Sequence, residues 1–214
     1  MQKFMPLFPL GIVVFPGENL NLHIFEKRYI QLINEIQESK KKFAIPLYLK
    51  NNLAEYATEV ELLSIEKKYD DGKLDVKTKG TGVVRILHFM ETIEGKPYHG
   101  AIVQEVEQLY PELNKINALL AKLLEKLKDT LGIEKPIFKD FNNINSFDIA
   151  HYVGFSIEDK YHLLTIADEK ARQNMIYQHL EKTLPTIKEN VELINRIKMN
   201  GHFRNEIPPT ISSK

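Results

Sequence analysis

The sequence contains no cysteine. That removes disulfide frameworks, thiolate nucleophiles and Cys-based zinc sites, and it fits a reducing compartment. It also lacks an excess of either charge: Lys plus Arg total 29, Asp plus Glu total 29, and the formal net charge is zero. No long-range field draws such a chain to phosphate or to anionic lipid, which argues against nucleic acid and membrane surfaces as partners. No apolar run reaches the roughly 20 residues needed to cross a bilayer. The stretch FMPLFPLGIVVF after Lys3 is punctuated by Pro6, Pro9 and Pro16, and no small-residue cleavage pattern follows it, so it is not read as a secretory signal. The expectation is a soluble, cytoplasmic protein.

Signatures of nucleotide and hydrolytic chemistry are missing as well. There is no G-x-x-x-x-G-K-[ST] loop, and Gly80-Thr81-Gly82 runs into Val83 in place of a phosphate-cradling turn, so it reads as strand-associated glycine. No G-x-S-x-G elbow surrounds any of the six serines (Ser39, Ser64, Ser146, Ser156, Ser212, Ser213). The seven histidines (His23, His88, His99, His151, His162, His179, His202) form no H-E-x-x-H and no closely spaced pair, so no metal site is expected. The acid pairs Asp70-Asp71 and Glu158-Asp159 have turn and capping explanations. No catalytic residue and no cofactor is assigned.

With 43% apolar and 9% aromatic residues, the chain can bury a real core. Its first half carries the period-2 alternation of half-buried strands. Leu20, Leu22 and Ile24 alternate with polar partners, as do Phe43, Ile45, Leu47 and Leu49, where Pro46 marks an edge strand or a bulge. Val60 to Tyr69 and Leu74 to Lys79 flank Asp70-Asp71-Gly72, a hairpin signal resting on residues that tolerate positive φ. Strands near 82–92 and 98–108, joined through Glu94-Gly95-Lys96, extend the meander. One helix over 25–39 interrupts it, with Phe25, Tyr29, Leu32, Ile33 and Ile36 in a single apolar stripe that must pack on the sheet. A closed or nearly closed small barrel would remove the exposed edges.

At Pro111 the period becomes that of a helix. Leu113, Ile116, Leu119, Leu120, Leu123, Leu124 and Leu127 form an apolar face that ends near Gly132, and 133–147 is polar and Asn-rich, hence a loop. Ser156 with Asp159 is a capping box for a helix reaching about Thr165, and Asp168 caps the next through Ala171, Met175, Ile176 and Leu180. Pro185 should break or kink the chain before a last helix, Thr186 to about Asn200, that buries Ile187, Val191, Ile194 and Ile197. The expected fold class is therefore α+β. Residues 1–108 make a mostly antiparallel β barrel with one packed helix, 109–200 a helical domain, and 201–214 a tail.

The segment LFPLGIVVFPGENLNLHIFEKRYIQLINE, residues 7–35, resembles the opening of the Lon protease amino-terminal, substrate-binding domain family, whose pattern is roughly PL-x-x-x-VFPG, a short strand, then IFE-x-RY and a helix. Pro9, Leu10, Val14, Phe15, Pro16, Gly17, Leu22, Ile24, Phe25, Glu26, Arg28 and Tyr29 stand in register with it. Gly82-Val83-Val84-Arg85-Ile86 is similar to the family's G-x-x-R strand. The resemblance implies a PUA-like barrel and a stand-alone recognition module without the ATPase and peptidase that full-length Lon proteins carry. It implies exposed apolar or unfolded polypeptide segments as partners, with a protease or chaperone in an adaptor role in protein quality control; the alternative is an RNA-binding module, because PUA barrels bind RNA.

The residue chemistry explains the motif without a ligand. Pro16 and Gly17 allow a chain reversal, Phe25 and Tyr29 belong to the helix stripe, and Glu26 suits a first helical turn. Two apart on a helix, Glu26 and Arg28 cannot face each other, so Arg28 is expected to find a distant partner or to cap carbonyls. Pro9, Phe15, Gly82 and Arg85 are likewise read as mainly structural, and no binding-surface residue is named. Lys40-Lys41-Lys42 and Lys67-Lys68 are the only compact basic runs, each read as a solvated edge or turn.

Overall fold

A computed structural model describes residues 2–110, 116–135, 138, 141, 142 and 144–202, the last four of these as backbone only. The elements are β1 Gln2–Pro6, β2 Asn19–Ile24, α1 Lys27–Ser39, β3 Phe43–Leu49, β4 Asn52–Lys68, β5 Leu74–Met90, β6 Gly100–Val106, α2 Ala118–Thr130, α3 Ser146–Ile149, α4 Ile157–Thr165 and α5 Glu169–His202. All ladders are antiparallel, in the order β1-β6-β5-β4-β3, with β2 on the first half of β5. The fold is α+β, a strongly curved sheet followed by helices.

Regular pairing stops short of the closed barrel. β1 and β3 are the two ends of the ladder, and the seam between them is spanned by the isolated parallel bridges Leu7–Ala44 and Leu10–Leu47. Phe8 N donates to Ala44 O (2.8 Å), Leu10 N to Pro46 O (3.2 Å) and Tyr48 N to Leu10 O (2.7 Å). Prolines explain the interruption, since Pro6, Pro9 and Pro46 have no N–H to add to a ladder. Pro46 lies on the end strand, and the register shifts between it and Tyr48, as its place in the sequence predicts.

The hairpins differ from expectation in detail. β5 is one 17-residue strand where two are predicted, because Gly80 and Gly82 pair within the ladder. Gly80 is required there: a Cβ would lie 2.2 Å from the carbonyl oxygen of Phe15. The VFPG turn locks onto the same spot, with Gly17 N donating to Gly80 O and Gly80 N to Glu18 O, each at 2.9 Å. Of the Asp70-Asp71-Gly72 loop, only Gly72 takes positive φ. The two-residue turn with both residues at positive φ is Lys50-Asn51 (51° and 63°), between the paired Leu49 and Asn52.

α1 begins at Lys27, two residues later than predicted, and buries Tyr29, Leu32, Ile33 and Ile36. Phe25 does not join them: it precedes the helix and is 62% exposed. α2 starts at Ala118, its first turn capped by Asn117 Oδ1 accepting from Leu120 N at 2.9 Å, and Leu119 lies exposed off the buried face of Leu120, Leu124 and Leu127. Pro111 and Leu113 lie outside the described residues. The Ser156–Asp159 capping box and the Asp168 cap are present as expected. α3 begins at the end of the predicted 133–147 loop, nucleated by its own capping box from Asn145 to Asp148.

Pro185 does not break α5, which runs through it. Leu180 and Leu184 before it are buried and Ile187 beyond it packs on the same core, so contacts on both sides outweigh one lost hydrogen bond. The predicted burial of the last stretch fails: Ile194 and Ile197 are exposed, and Val191 is only half-buried.

Three apolar clusters hold the molecule. One packs α1 on the sheet through Tyr29, Leu32, Ile33, Phe43, Val60 and Val76. A second fills the sheet's concave interior with Met5, Leu7, Ala44, Ala57, Val84 and Val103. The third joins Val13, Phe15, Leu47 and Val83 to Leu120, Phe147, Leu163, Ile176 and Leu180 of the helices, with Phe15 stacked on Phe147 at 5.3 Å.

Candidate functional site

At one mouth of the curved sheet lies a cleft of about 390 Å³. Leu53, which packs on the interior cluster, forms part of its lining, together with the exposed rings of Tyr48 and Phe89. Pro9, Arg28 and Tyr29 come from the motif, and Asn51, Glu91 and His99 add polar groups. Each arrives for a local reason. The Lys50-Asn51 turn holds the Asn51 backbone in the left-handed region, where asparagine is among the better tolerated residues. The bulge after Pro46 precedes Tyr48, which is 45% exposed beside the fully buried start of β3. Phe89 pairs with Ala101 at the far end of β5 and is 43% exposed.

His99 Nδ1 sits 2.7 Å from Glu91 O, and since a carbonyl only accepts, Nδ1 carries the hydrogen and Nε2 is the ring's other nitrogen. Phe89 and the His99 ring are 5.4 Å apart. Arg28 donates from Nε to Glu26 Oε2 at 2.9 Å, with Nη2 2.8 Å from the same oxygen, and its guanidinium lies 4.5 Å over the Tyr29 ring. The helix rule that forbids this pair does not apply, because Glu26 is the N-cap, in extended conformation, and makes no side-chain cap bond. Burial pushes the Tyr29 hydroxyl above its ordinary range, with Arg28 opposing and Glu26 adding to the shift. The cleft thus combines aromatic walls, an apolar floor and a charge-balanced pair, a combination that can hold an apolar side chain and its flanking main chain.

A larger hollow of about 880 Å³ has different chemistry. Its lysines are mostly neutralised: Lys3 reaches both Glu59 and Glu105 at 2.6 Å, Lys42 reaches Glu59 at 2.8 Å, and Lys96 reaches Glu35 at 2.8 Å. Burial alone would raise the Glu59 carboxyl, but hydrogen bonds from Lys3, Lys42 and Thr81 outweigh it and hold the group at about 2. Tyr98, buried and hydrogen-bonded to Glu35, has its hydroxyl pushed up. Such a network ties β1, β4, β5 and β6 to the turn before β3 and leaves few free cations for phosphate.

The motif residues fall in four places. Pro9, Arg28 and Tyr29 line the cleft, with Glu26 behind Arg28. Phe15, Pro16 and Gly17 form the turn against Gly80, with Phe15 buried and Gly17 at φ 89°. Gly82 and Arg85 lie further along β5, and Arg85 is an exposed partner of Glu55 at 2.6 Å. Phe25 lies in solvent, 6.3 Å from His23. Tyr48, Asn51, Leu53, Phe89, Glu91 and His99 are the cleft residues that sequence reasoning missed. No periodicity marks them, because three separate strand ends and turns bring them together. Among the described residues no group of three or more His, Asp or Glu is placed to hold a metal, and no helix is long and apolar enough to cross a membrane.

A curved antiparallel sheet with one docked helix, followed by a helical lobe and opening at a polar-rimmed aromatic cleft, defines a recognition fold of the Lon amino-terminal type. The family described as the ATP-dependent protease La (LON) substrate-binding domain matches residues 5–182, and the chain belongs to it. Among solved structures it is similar to a Lon N-terminal domain protein from Xanthomonas campestris (TM-score 0.63, 24% identity, 81% of this chain and 96% of that one). It is also similar to the N-terminal domain of a Mycobacterium avium complex Lon protease (TM-score 0.61, 15% identity, 84% and 98%). A LON peptidase N-terminal domain and RING finger protein of Schizosaccharomyces pombe is 29% identical over 107 residues, 41% of this chain and 22% of that protein's length.

Proposed function

We propose that this chain is a non-catalytic, cytoplasmic recognition module that takes exposed apolar segments of unfolded polypeptides into the cleft at the sheet's mouth. The observation that carries the reading is the pair of exposed rings, Tyr48 and Phe89, over an apolar floor beside Pro9, Arg28 and Tyr29. Large amphipathic rings supply contact area at low entropic cost, and Asn51 and His99 offer hydrogen bonds to a client main chain. By delivering such segments to a protease or chaperone, the module serves as an adaptor in protein quality control. The family's substrate-binding role supports this reading, and no ATP hydrolysis or peptidase activity is expected of the purified chain.

RNA is the weaker reading. The net charge is zero, and Lys3, Lys42 and Lys96 are held by carboxylates. Titration of a denatured client and of a structured RNA at two salt concentrations tests both. Micromolar client binding that changes little with salt is expected, at about −8 kcal/mol. Steeply salt-dependent RNA binding without client binding would replace the proposal, and ATP-stimulated casein degradation by homogeneous protein would end the non-catalytic part of it.

A further inference from the structure

Beside the cleft, the sheet has a second feature that the family reading leaves unused, the outer edge of β4 over residues 61–68. From Ala57 to Val60, β4 is paired on both sides, by β3 (Pro46–Ala57 to Phe43–Val60) and by β5. The second half pairs with β5 alone, from Glu61–Lys79 to Lys68–Leu74. Among the described residues, no backbone hydrogen bond joins 61–68 to any segment other than β5. Eight residues of strand, with register shifts at Leu63 and Glu66, present an open edge of at most roughly 27 Å, and such an edge is a template for another strand.

A hollow of about 290 Å³ runs along that edge. Five consecutive strand residues, Glu61 to Ile65, line one side, and the end of α1 with the Lys40–Lys42 turn lines the other. The fold brings both compact basic runs of the sequence to this one edge: Lys40-Lys41-Lys42 at its start and Lys67-Lys68 at its end. Lys42 is engaged by Glu59 and Thr81, and Lys67 lies over the Tyr69 ring. Lys40, Lys41 and Lys68 make no ion pair among the described residues; Glu61 is the one acid lining the hollow, and Glu66, further along the edge, is held by Lys77 at 2.8 Å. The Lys40 backbone, at φ 55°, is the left-handed cap that turns the chain toward β3 and sets the run beside the edge.

We propose that the outer edge of β4 accepts an extended, acidic segment of another polypeptide as an added strand, its main chain paired with 61–68 and its carboxylates matched to Lys40, Lys41 and Lys68. Main-chain pairing supplies affinity in such additions, and alternate side chains supply selectivity. The exposed Leu63 and the half-buried Leu62 and Ile65 receive the apolar side chains of the incoming strand. The same lysines repel a second copy of this edge, as lysine on open strands does elsewhere. RNA fits less well, because the lining of the hollow contains no aromatic face on which a base could stack.

The test uses the full chain and a labelled peptide of alternating Glu and Val, with a second peptide of the same sequence N-methylated throughout. Micromolar binding of the first, at least tenfold loss with the second, and slowed amide exchange over 61–68 are expected. Lys40→Glu/Lys41→Glu should weaken binding at least tenfold, and Tyr48→Ser/Phe89→Ser should leave it unchanged. Equal binding of the N-methylated peptide, or protection over β2 in place of β4, overturns the edge. Loss of the peptide in the Tyr48/Phe89 variant alone moves it to the cleft, which sinks this proposal and leaves the first standing. Self-association through this edge in sedimentation, or uridine-rich RNA bound in its place and lost with the two lysines, also overturns it.

Discussion

Arg28 folds back on Glu26, placing Nε and Nη2 at 2.9 and 2.8 Å from one carboxylate oxygen while its guanidinium covers the Tyr29 ring at 4.5 Å. The contact exists because the helix starts one residue after Glu26, so a two-residue spacing spans a bend instead of a helical turn. It places a cation and a ring at the rim of the cleft, with an anion behind them.

Tyr29 is 5% exposed and its ring is 4.1 Å from that of Phe8, whereas Phe25 is 62% exposed. Tyr29→Ala should cost about 3 to 5 kcal/mol and Phe25→Ala no more than about 0.5 kcal/mol. Chemical denaturation midpoints measure both. Equal losses would mean that Phe25 is docked after all.

Arg172 and Glu169 are both fully buried, 2.8 Å apart, and Arg172 also donates to Gln108 Oε1 and to the carbonyls of Ile166 and Ala167. Arg172→Met leaves the Glu169 charge without its cation and should destabilise by about 3 to 5 kcal/mol. Adding Glu169→Gln should restore a large part of that loss. A strictly additive double variant, read by urea unfolding, would show that the two residues act independently.

The Glu59 carboxyl lies at about 2, below its model-peptide value of 4.5. A depressed folded-state value contributes stability above the unfolded value and loses it as pH falls from about 4.5 toward 2. Glu59→Gln should therefore cost at most roughly 3 kcal/mol at pH 7, and the gap from wild type should shrink progressively below pH 4.5. Denaturation at pH 7 and pH 3 is the measurement, and a pH-independent gap would contradict the assignment.

Tyr48 and Phe89 are 45% and 43% exposed, so replacing both should spare the fold. Tyr48→Ser/Phe89→Ser is expected to weaken binding of a denatured client at least tenfold while the thermal midpoint moves little. Unchanged affinity in a folded double variant would remove the cleft as the working surface.

Period and capping chemistry determined most of the architecture. Alternation placed β2, β3, β6 and the second half of β4, though not β1 or the first half of β4, the stripe Tyr29, Leu32, Ile33 and Ile36 placed α1, and the Ser156–Asp159 box placed α4, because each of these signals is local and each side chain meets its partner within a few residues. The VFPG and IFE-x-RY motifs identified the family for the same reason. Tertiary structure alone decided the rest. Whether Pro185 breaks a helix depends on what Leu184 and Ile187 pack against, and whether Phe25 is buried depends on where the helix starts. The cleft and the open edge of β4 are set by long-range pairing: Tyr48, Phe89 and His99 meet only when β3, β5 and the segment before β6 curve around a common interior, and Lys40 and Leu63 line one hollow only because β3 ends its pairing at Val60. Contacts between residues far apart in the chain leave no periodic trace, so the sequence carries the elements and the three-dimensional fold creates the surfaces.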